Sequence, residues 1–335
     1  MPLIPESVFR DRLQAAIVQP PRTYTSAYTL LTRFESDDSQ AIQDSEGFKT
    51  ICNAFGLPAP VEVVVTPADP MPSWTIAREF QKILIAAAEA PGRSLVMVHY
   101  AGHGSLNQFN RLTLHANGNE PRSVGFDVAF SNNIDESSDF SELDPDVDVV
   151  MLIDSCYSGS AFNRAIFNMP RVVEILAACE PDKITLAANP RNQNQTFTAK
   201  LADIVVKQKR KGKPLSFVEM MALVDRDSAQ IKPFYELFSG RSSVKLCFPG
   251  ECLASAPTAQ MSVAYHIAVF SVCLEPLMEE RVELLANWIK GLDRTFNIII
   301  KAVYNAVAKY VGLIIEAPYH IYAQLRRLPG IDLIF

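Results

Sequence analysis

Along most of this chain, short runs of β-branched and apolar residues alternate with longer stretches whose apolar positions recur every three or four residues. Period-two alternation or a short unbroken apolar run marks a strand, and a 3.6 period marks a helix. Read this way, residues 28–32 form a first strand, 40–55 a helix and 61–65 a second strand. Residues 74–90 form a helix with the stripe Ile76, Phe80, Ile83, Leu84 and Ala87. The run 95–99 is a third strand, and 111–115 and 123–130 are short strands about an NGN-containing turn at 117–120. A long strand at 147–153 follows, then a helix at 171–179, a strand at 183–187, helices at 197–207 and 216–230, and a last strand at 244–248. Such alternation implies right-handed βαβ units, hence an α/β fold with a mostly parallel sheet flanked by helices. Residues 254–258 read as a linker. Beyond them Val282, Leu285, Trp288, Ile289, Leu292, Phe296, Ile299, Val303 and Val307 form one broad stripe of helical period. The chain thus divides into an N-terminal segment 1–23, an α/β domain 24–249 and a C-terminal helical extension 250–335.

Two of the strands end in glycine-rich loops that carry reactive side chains. Residues 95–99 run into HYAGHG, with His103 between Gly102 and Gly104, and 147–153 run into DSCYSG, with Cys156 just past the strand. Open parallel sheets bind ligands outside the carboxyl ends of their strands. Neighbouring strands lie about 4.8 Å apart, so an imidazole and a thiol at two such ends can reach one carbonyl group. A thiolate is a strong nucleophile and an imidazole can take its proton, so the pair reads as a cysteine hydrolase. Singly, His103 reads equally as a plain loop histidine and Cys156 as a buried thiol; their joint placement carries the reading. His99 and His115 lie inside strand-like runs and read as structural. Cys52, Cys179, Cys247, Cys252 and Cys273 read as small hydrophobes.

Composition narrows the options. With 335 residues and 48% apolar content the chain can bury a large core in two or three domains. A net charge of -6, from 31 basic and 37 acidic residues, gives no footprint for nucleic acid. Six scattered cysteines form neither a disulfide framework nor a zinc array, and free thiols suit a reducing cytoplasm. The start MPLIPESVFRDRL lacks a cationic stretch followed by an apolar run, so no secretory leader is expected.

HYAGHG followed about 50 residues later by DSCYSG resembles the caspase-like cysteine peptidases, specifically their metacaspase branch. The element order over residues 24–249 is similar to that family's as well, although Asp154 stands where the animal caspase motif has glutamine. The resemblance implies a six-stranded caspase-like sheet and an endopeptidase working by a Cys–His dyad. Cys156 would be the nucleophile and His103 the general base and acid, with the N–H groups of Gly104 and Cys156 holding the oxyanion. It also implies a role in regulated proteolysis, such as cell-death or stress responses. The alternative on the same fold is a non-hydrolytic scaffold or regulator acting through its C-terminal helices, because fold alone does not decide function.

Asp154 precedes Cys156 by two residues, which in extended chain places both side chains on one face, about 7 Å apart. The segment AIQDSEGF is similar to a family motif whose aspartate lines the same pocket, which adds Asp44. Two converging carboxylates favour a guanidinium or ammonium group, so the implied substrates are proteins or peptides with Arg or Lys before the scissile bond. Asp154 has a second reading, ordering its loop by accepting backbone N–H bonds, and Asp38 adds to the pocket's field. The resemblance extends to Ca2+ activation. The acidic stretch 135–148 offers oxygen ligands but lacks the family's paired-aspartate pattern, so no metal ligand is assigned. Arg164, Arg171, Lys183 and the basic run 207–213 are candidate self-cleavage points. From Leu284 on, Lys290, Arg294, Lys301, Lys309, Arg326 and Arg327 outnumber Asp293, Glu316 and Asp332. The C-terminal helices therefore read as packing on the α/β domain or on a partner, or as lying peripherally on an anionic membrane.

Overall fold

The computed structural model describes residues 2–18, 22–117, 123–134, 146–161, 171–185, 196–226, 231–250, 267–306, 309–326 and 328–334. Two units divide the chain: Pro21–Gly240 with Val244–Ala254, and Met1–Pro20 with Arg241–Ser243 and Ser255–Phe335.

In the first unit the strands run β1 (Ser26–Phe34), β2 (Val61–Val65), β3 (Ser94–Ala101), β4 (His103–Leu106), β5 (Leu112–His115) and β6 (Val124–Gly125). They continue as β7 (Val147–Asp154), β8 (Val173–Ala177), β9 (Leu215–Ser216), β10 (Phe234–Ser239) and β11 (Lys245–Leu246). Six of them form one sheet in the order β10-β8-β7-β3-β1-β2, parallel throughout except for β10, which is antiparallel to β8. Every residue of β3, β7 and β8 is buried. Helices cover both faces of such a central strand, so it reads as an unbroken apolar run. Helix Pro72–Glu89 packs Ile76, Phe80 and Leu84 with Val96, Val98 and Tyr100. Helix Ala41–Phe55 lies on the opposite face, where Phe48 stacks on His99 at 4.8 Å, and it packs on helix Phe197–Lys209.

Several expectations are corrected. Residues 173–177 form strand β8, where a helix at 171–179 was expected. The five-residue stretch VEILA is too short to set a period of its own, and burial in the sheet decides it. The sixth strand is β10, whereas the expected last strand at 244–248 contributes only β11, paired with β9 outside the main sheet. Residues 123–130 hold a two-residue strand and then helix Phe126–Ala129. Residues 183–185 belong to no strand, and 186–187, the turn residues 118–120, Arg164 and the linker 254–258 lie outside the described residues.

The fully buried Asp148 at the start of β7 accepts bonds from Arg22 Nη1 at 2.7 Å, Tyr24 Oη at 2.8 Å, Arg93 Nη1 at 2.9 Å and Val172 N at 2.7 Å. Of the acidic stretch considered for calcium, Asp148 is thus committed to these donors, Asp146 pairs with Arg93, and 135–145 lie outside the described residues. Cys247 is disulfide-bonded, while Cys52, Cys156, Cys179 and Cys273 are free. That bond departs from the reading of Cys247 as a small hydrophobe, and it weakens the cysteine argument for a reducing compartment.

The second unit corrects the expected C-terminal helical extension. Its order is β12 (Ile267–Leu274), helix Glu279–Phe296, β13 (Ile299–Ala306), β14 (Tyr310–Pro318), helix Tyr319–Leu325 and β15 (Ile331–Leu333). The four strands form an antiparallel sheet ordered β13-β14-β12-β15, the split βαβ arrangement. The helical stripe holds through Phe296 and stops there. Ile299 and Val303, at spacing four, lie on strand β13, whose β-branched residues suit a sheet. Lys301 and Lys309 therefore leave the helix that carries Lys290, and Lys301 pairs with Glu316 at 2.7 Å. The N-terminal helix Glu6–Ile17 buries Phe9 and Leu13 in this unit's core with Phe270, Leu285 and Leu313. Among the described residues no helix is long and apolar enough to cross a membrane.

Candidate active site

In the first unit the chain passes from β1 to β2 on one side and then returns to place β3 on the other. Such a reversal marks a switch point at the carboxyl ends of β1 and β3, the place where open α/β sheets bind ligands. Three neighbouring strand ends supply its chemistry: Asp37 and Asp38 follow β1, His103 follows β3, and Cys156 follows β7.

Two glycines let the His103 and Cys156 loops touch. Gly102 adopts φ +143°, and a Cβ there would lie 2.7 Å from Tyr100 Oη. Its N–H donates to Asp154 O at 3.2 Å, and Tyr100 Oη donates to His103 O at 2.8 Å. At Gly104 a Cβ would strike Cys156 O and lie 2.9 Å from Ser155 Oγ. Gly104 thus lies against the Cys156 backbone in a contact that tolerates no side chain. Beyond Cys156, Tyr157 takes φ +58° and its N–H donates to Lys183 O at 2.8 Å. A left-handed aromatic residue is strained, and such strain clusters at functional sites. The partly buried Cys156 Sγ accepts a bond from Thr185 N at 3.4 Å.

The His103 ring stacks on His115 at 5.6 Å and 18°, across the β4–β5 pair. Its Nε2 lies 2.6 Å from Asp38 Oδ1. Asp37 anchors the same loop, accepting from Ser39 Oγ at 2.8 Å and from Ala41 N at 2.9 Å, at the start of helix Ala41–Phe55. The ligand atoms of Asp37, Asp38 and His103 lie within 4.8 Å of one another, so these three residues could hold a divalent cation.

Asp44 and Asp154 meet nearby, each buried to 6% exposure. Thr196 Oγ1 donates to Asp44 Oδ1 at 2.6 Å, and Thr198 donates to Asp154 Oδ2 from its N at 2.9 Å and its Oγ1 at 2.8 Å. Burial, then the Asp154 charge, pushes Asp44 up to about 8, while the Thr196 bond opposes the rise. Burial pushes Asp154 up to about 6 against the pull of the Thr198 bonds and the Lys200 charge. Behind Thr198, His99 Nε2 lies 3.1 Å from its hydroxyl, and burial holds this imidazole down to about 3, hence neutral. Thr198 Oγ1 has given its hydrogen to Asp154, so Nε2 of His99 is the donor in that contact.

The structure therefore brings Asp44 and Asp154 together and the His103 and Cys156 loops into contact. Asp154 also orders chain, accepting the Thr198 N–H. Asp38 departs from its expected place in the pocket's field: it bonds His103, and the neighbouring Asp37 is the one whose charge acts on Asp44. His99 and His115 sit directly behind the site, and Thr196 and Thr198 join it. The signal that could have found Thr196 is its place just before helix Phe197–Lys209, which it caps, its hydroxyl accepting from Ala199 N at 3.4 Å. No family model matches the chain, and no curated protein matches it.

Proposed function

We propose that this protein is a cysteine endopeptidase of the caspase-like, metacaspase type, cutting after Arg or Lys in protein substrates. The observation that carries the reading is the meeting of the His103 and Cys156 loops through Gly102 and Gly104 beside a buried carboxylate pair. His103 takes the thiol proton and the sulfur attacks the scissile carbonyl carbon. The N–H groups of Gly104 and Cys156 receive the oxyanion, a contribution of about 3–4 kcal/mol per donor in other enzymes. His103 then gives its proton to the leaving amine as the C–N bond breaks, and water hydrolyses the thioester. Asp44 and Asp154 hold the cationic side chain that precedes the cut. A burial cost borne by two carboxylates is offset when a guanidinium pairs with them, and apolar residues gain nothing from such a pocket.

Thr185 N–H already bonds Cys156 Sγ. That contact favours, as second reading, a scaffold in which the thiol is structural. Hydrolysis of a fluorogenic Arg peptide by wild type and Cys156→Ala, with and without calcium, separates the two. The peptidase reading expects turnover by wild type alone. Equal inactivity of both proteins in every condition supports the scaffold, and preference for an Asp peptide removes the assigned role of Asp44 and Asp154.

A further inference from the structure

We infer that Asp38 is a positioning residue of this site, one that fixes the His103 ring with its proton on Nε2 and leaves Nδ1 as the base. The inference rests on the peptidase reading. An ionised carboxylate only accepts, so at 2.6 Å the proton between Asp38 Oδ1 and Nε2 belongs to the imidazole. A neutral ring protonated on Nε2 carries its lone pair on Nδ1.

Three restraints make the arrangement a built one. Asp37 fixes the loop through Ser39 and Ala41, which aims the next residue, Asp38, at the ring. The stack on His115 holds one ring face. The Tyr100 bond to His103 O pins the backbone beneath. Two of them come from the ends of β1 and β3 in the six-stranded sheet and the third from β5, paired with β4 in the three-stranded sheet, so strand pairing sets the spacing.

The chemistry gives Asp38 something to do. The S–H bond of Cys156 breaks, its proton goes to Nδ1, and the electron pair remains on sulfur to form the bond to carbon. The ring is then an imidazolium, and its contact with Asp38 becomes a charge-assisted one, stronger than before. On collapse, the Nδ1 proton passes to the leaving amine while the Nε2 proton stays between ring and carboxylate. Asp38 therefore exchanges no proton; it favours the state of His103 that forms during reaction, which is the condition for raising kcat. Asp38 is 68% exposed, so water screens the interaction. The effect is accordingly set below the roughly 10,000-fold loss seen for a buried triad aspartate.

The test compares wild type, Asp38→Ala and Asp38→Asn, with a chelator present to keep cations off Asp37, Asp38 and His103. Three readouts are taken: kcat and KM on an Arg peptide, the 15N tautomer signature of His103, and the rate of Cys156 alkylation by iodoacetamide followed by peptide mass. Asp38→Ala should lower kcat by about 10- to 100-fold with KM little changed. It should also reduce the Nε2–H tautomer and slow Cys156 alkylation. Asp38→Asn, whose amide oxygen can accept the same bond, should keep the tautomer and recover part of the rate. An unchanged tautomer together with unchanged kcat in Asp38→Ala overturns the inference. Should wild type cleave no Arg or Lys peptide either with the chelator or with calcium restored, the peptidase reading fails separately. The tautomer and alkylation rates then still decide whether Asp38 governs His103, and no change in either overturns it.

Discussion

Burial works against ionisation at Asp44 and Asp154, and each carboxyl stands above its ordinary value. The consequence for stability follows from proton counting. Between an unfolded value of about 3.9 and folded values near 6 and 8, the folded chain binds more protons than the unfolded one. Stability from this pair is therefore greatest at low pH and is lost as pH rises through that window. A bound cation acts in the opposite sense, because it favours the ionised pair. KM for an Arg peptide should fall as pH rises from 6 to 8, a trend read directly from initial rates. Asp44→Asn removes one ionisation and should melt higher than wild type at pH 8 by calorimetry. It should also lose about 100-fold in kcat/KM for Arg peptides, the scale for removing one partner of a buried charge pair. A variant that is more stable yet retains its Arg preference would place the cation elsewhere. Residue identity announced this pair through the motifs DSCYSG and AIQDSEGF, whereas Asp38 is one of several loop carboxylates. Which of them reaches His103 depends on Asp37 capping the next helix, a contact without a distinct sequence signal.

At the scale of elements, the anchoring of β7 at the end opposite Cys156 depends on one side chain. Asp148 receives Arg22, Tyr24, Arg93 and the backbone of Val172, joining β7 to the segment before β1, the start of β3 and the start of β8. Asp148→Ala takes the Asp148 acceptor from Arg22, the Tyr24 hydroxyl, the buried Val172 N–H and Nη1 of Arg93, which keeps only Asp146. Breaking a buried charge network by removing one partner costs about 3–5 kcal/mol, which a urea titration measures. The same titration on Asp148→Asn should give a smaller loss, since the amide oxygen still accepts. The strands that lead to His103 and Cys156 were legible because β3 and β7 are long, mostly apolar and closed by glycine-rich loops. Strand β8 was misread because VEILA supports a helix equally well until neighbours on both sides claim its backbone. Strand β10 was missed since Tyr235 and Glu236 break the apolar run, although both are buried, with Tyr235 Oη bonding Glu174 at 2.8 Å.

The molecule as a whole is organised by pairings that local pattern does not reveal. Residues 6–17 form a helix within what reads from the sequence only as the N-terminal segment 1–23, and what Phe9 and Leu13 pack against is supplied by strands and helices near the other end of the chain. The backbone is stitched there too: Ile4 N donates to Cys273 O at 3.0 Å and Glu275 N to Ile4 O at 2.9 Å. The N-terminal helix is thus structural material of the second unit, and its loss is felt in that unit's sheet. Leu13 is 0% exposed, and truncating such a leucine costs about 2–5 kcal/mol through lost burial and the cavity left behind. Leu13→Ala should therefore speed amide hydrogen exchange in β12 and β14, while amides of β3 and β7 in the first unit keep their rates. Exchange resolved by peptide mass reports both sheets in one experiment. Equal acceleration in both would mean that the chain opens as one cooperative body, and no change in β12 would mean that the N-terminal helix contributes nothing to the sheet it covers.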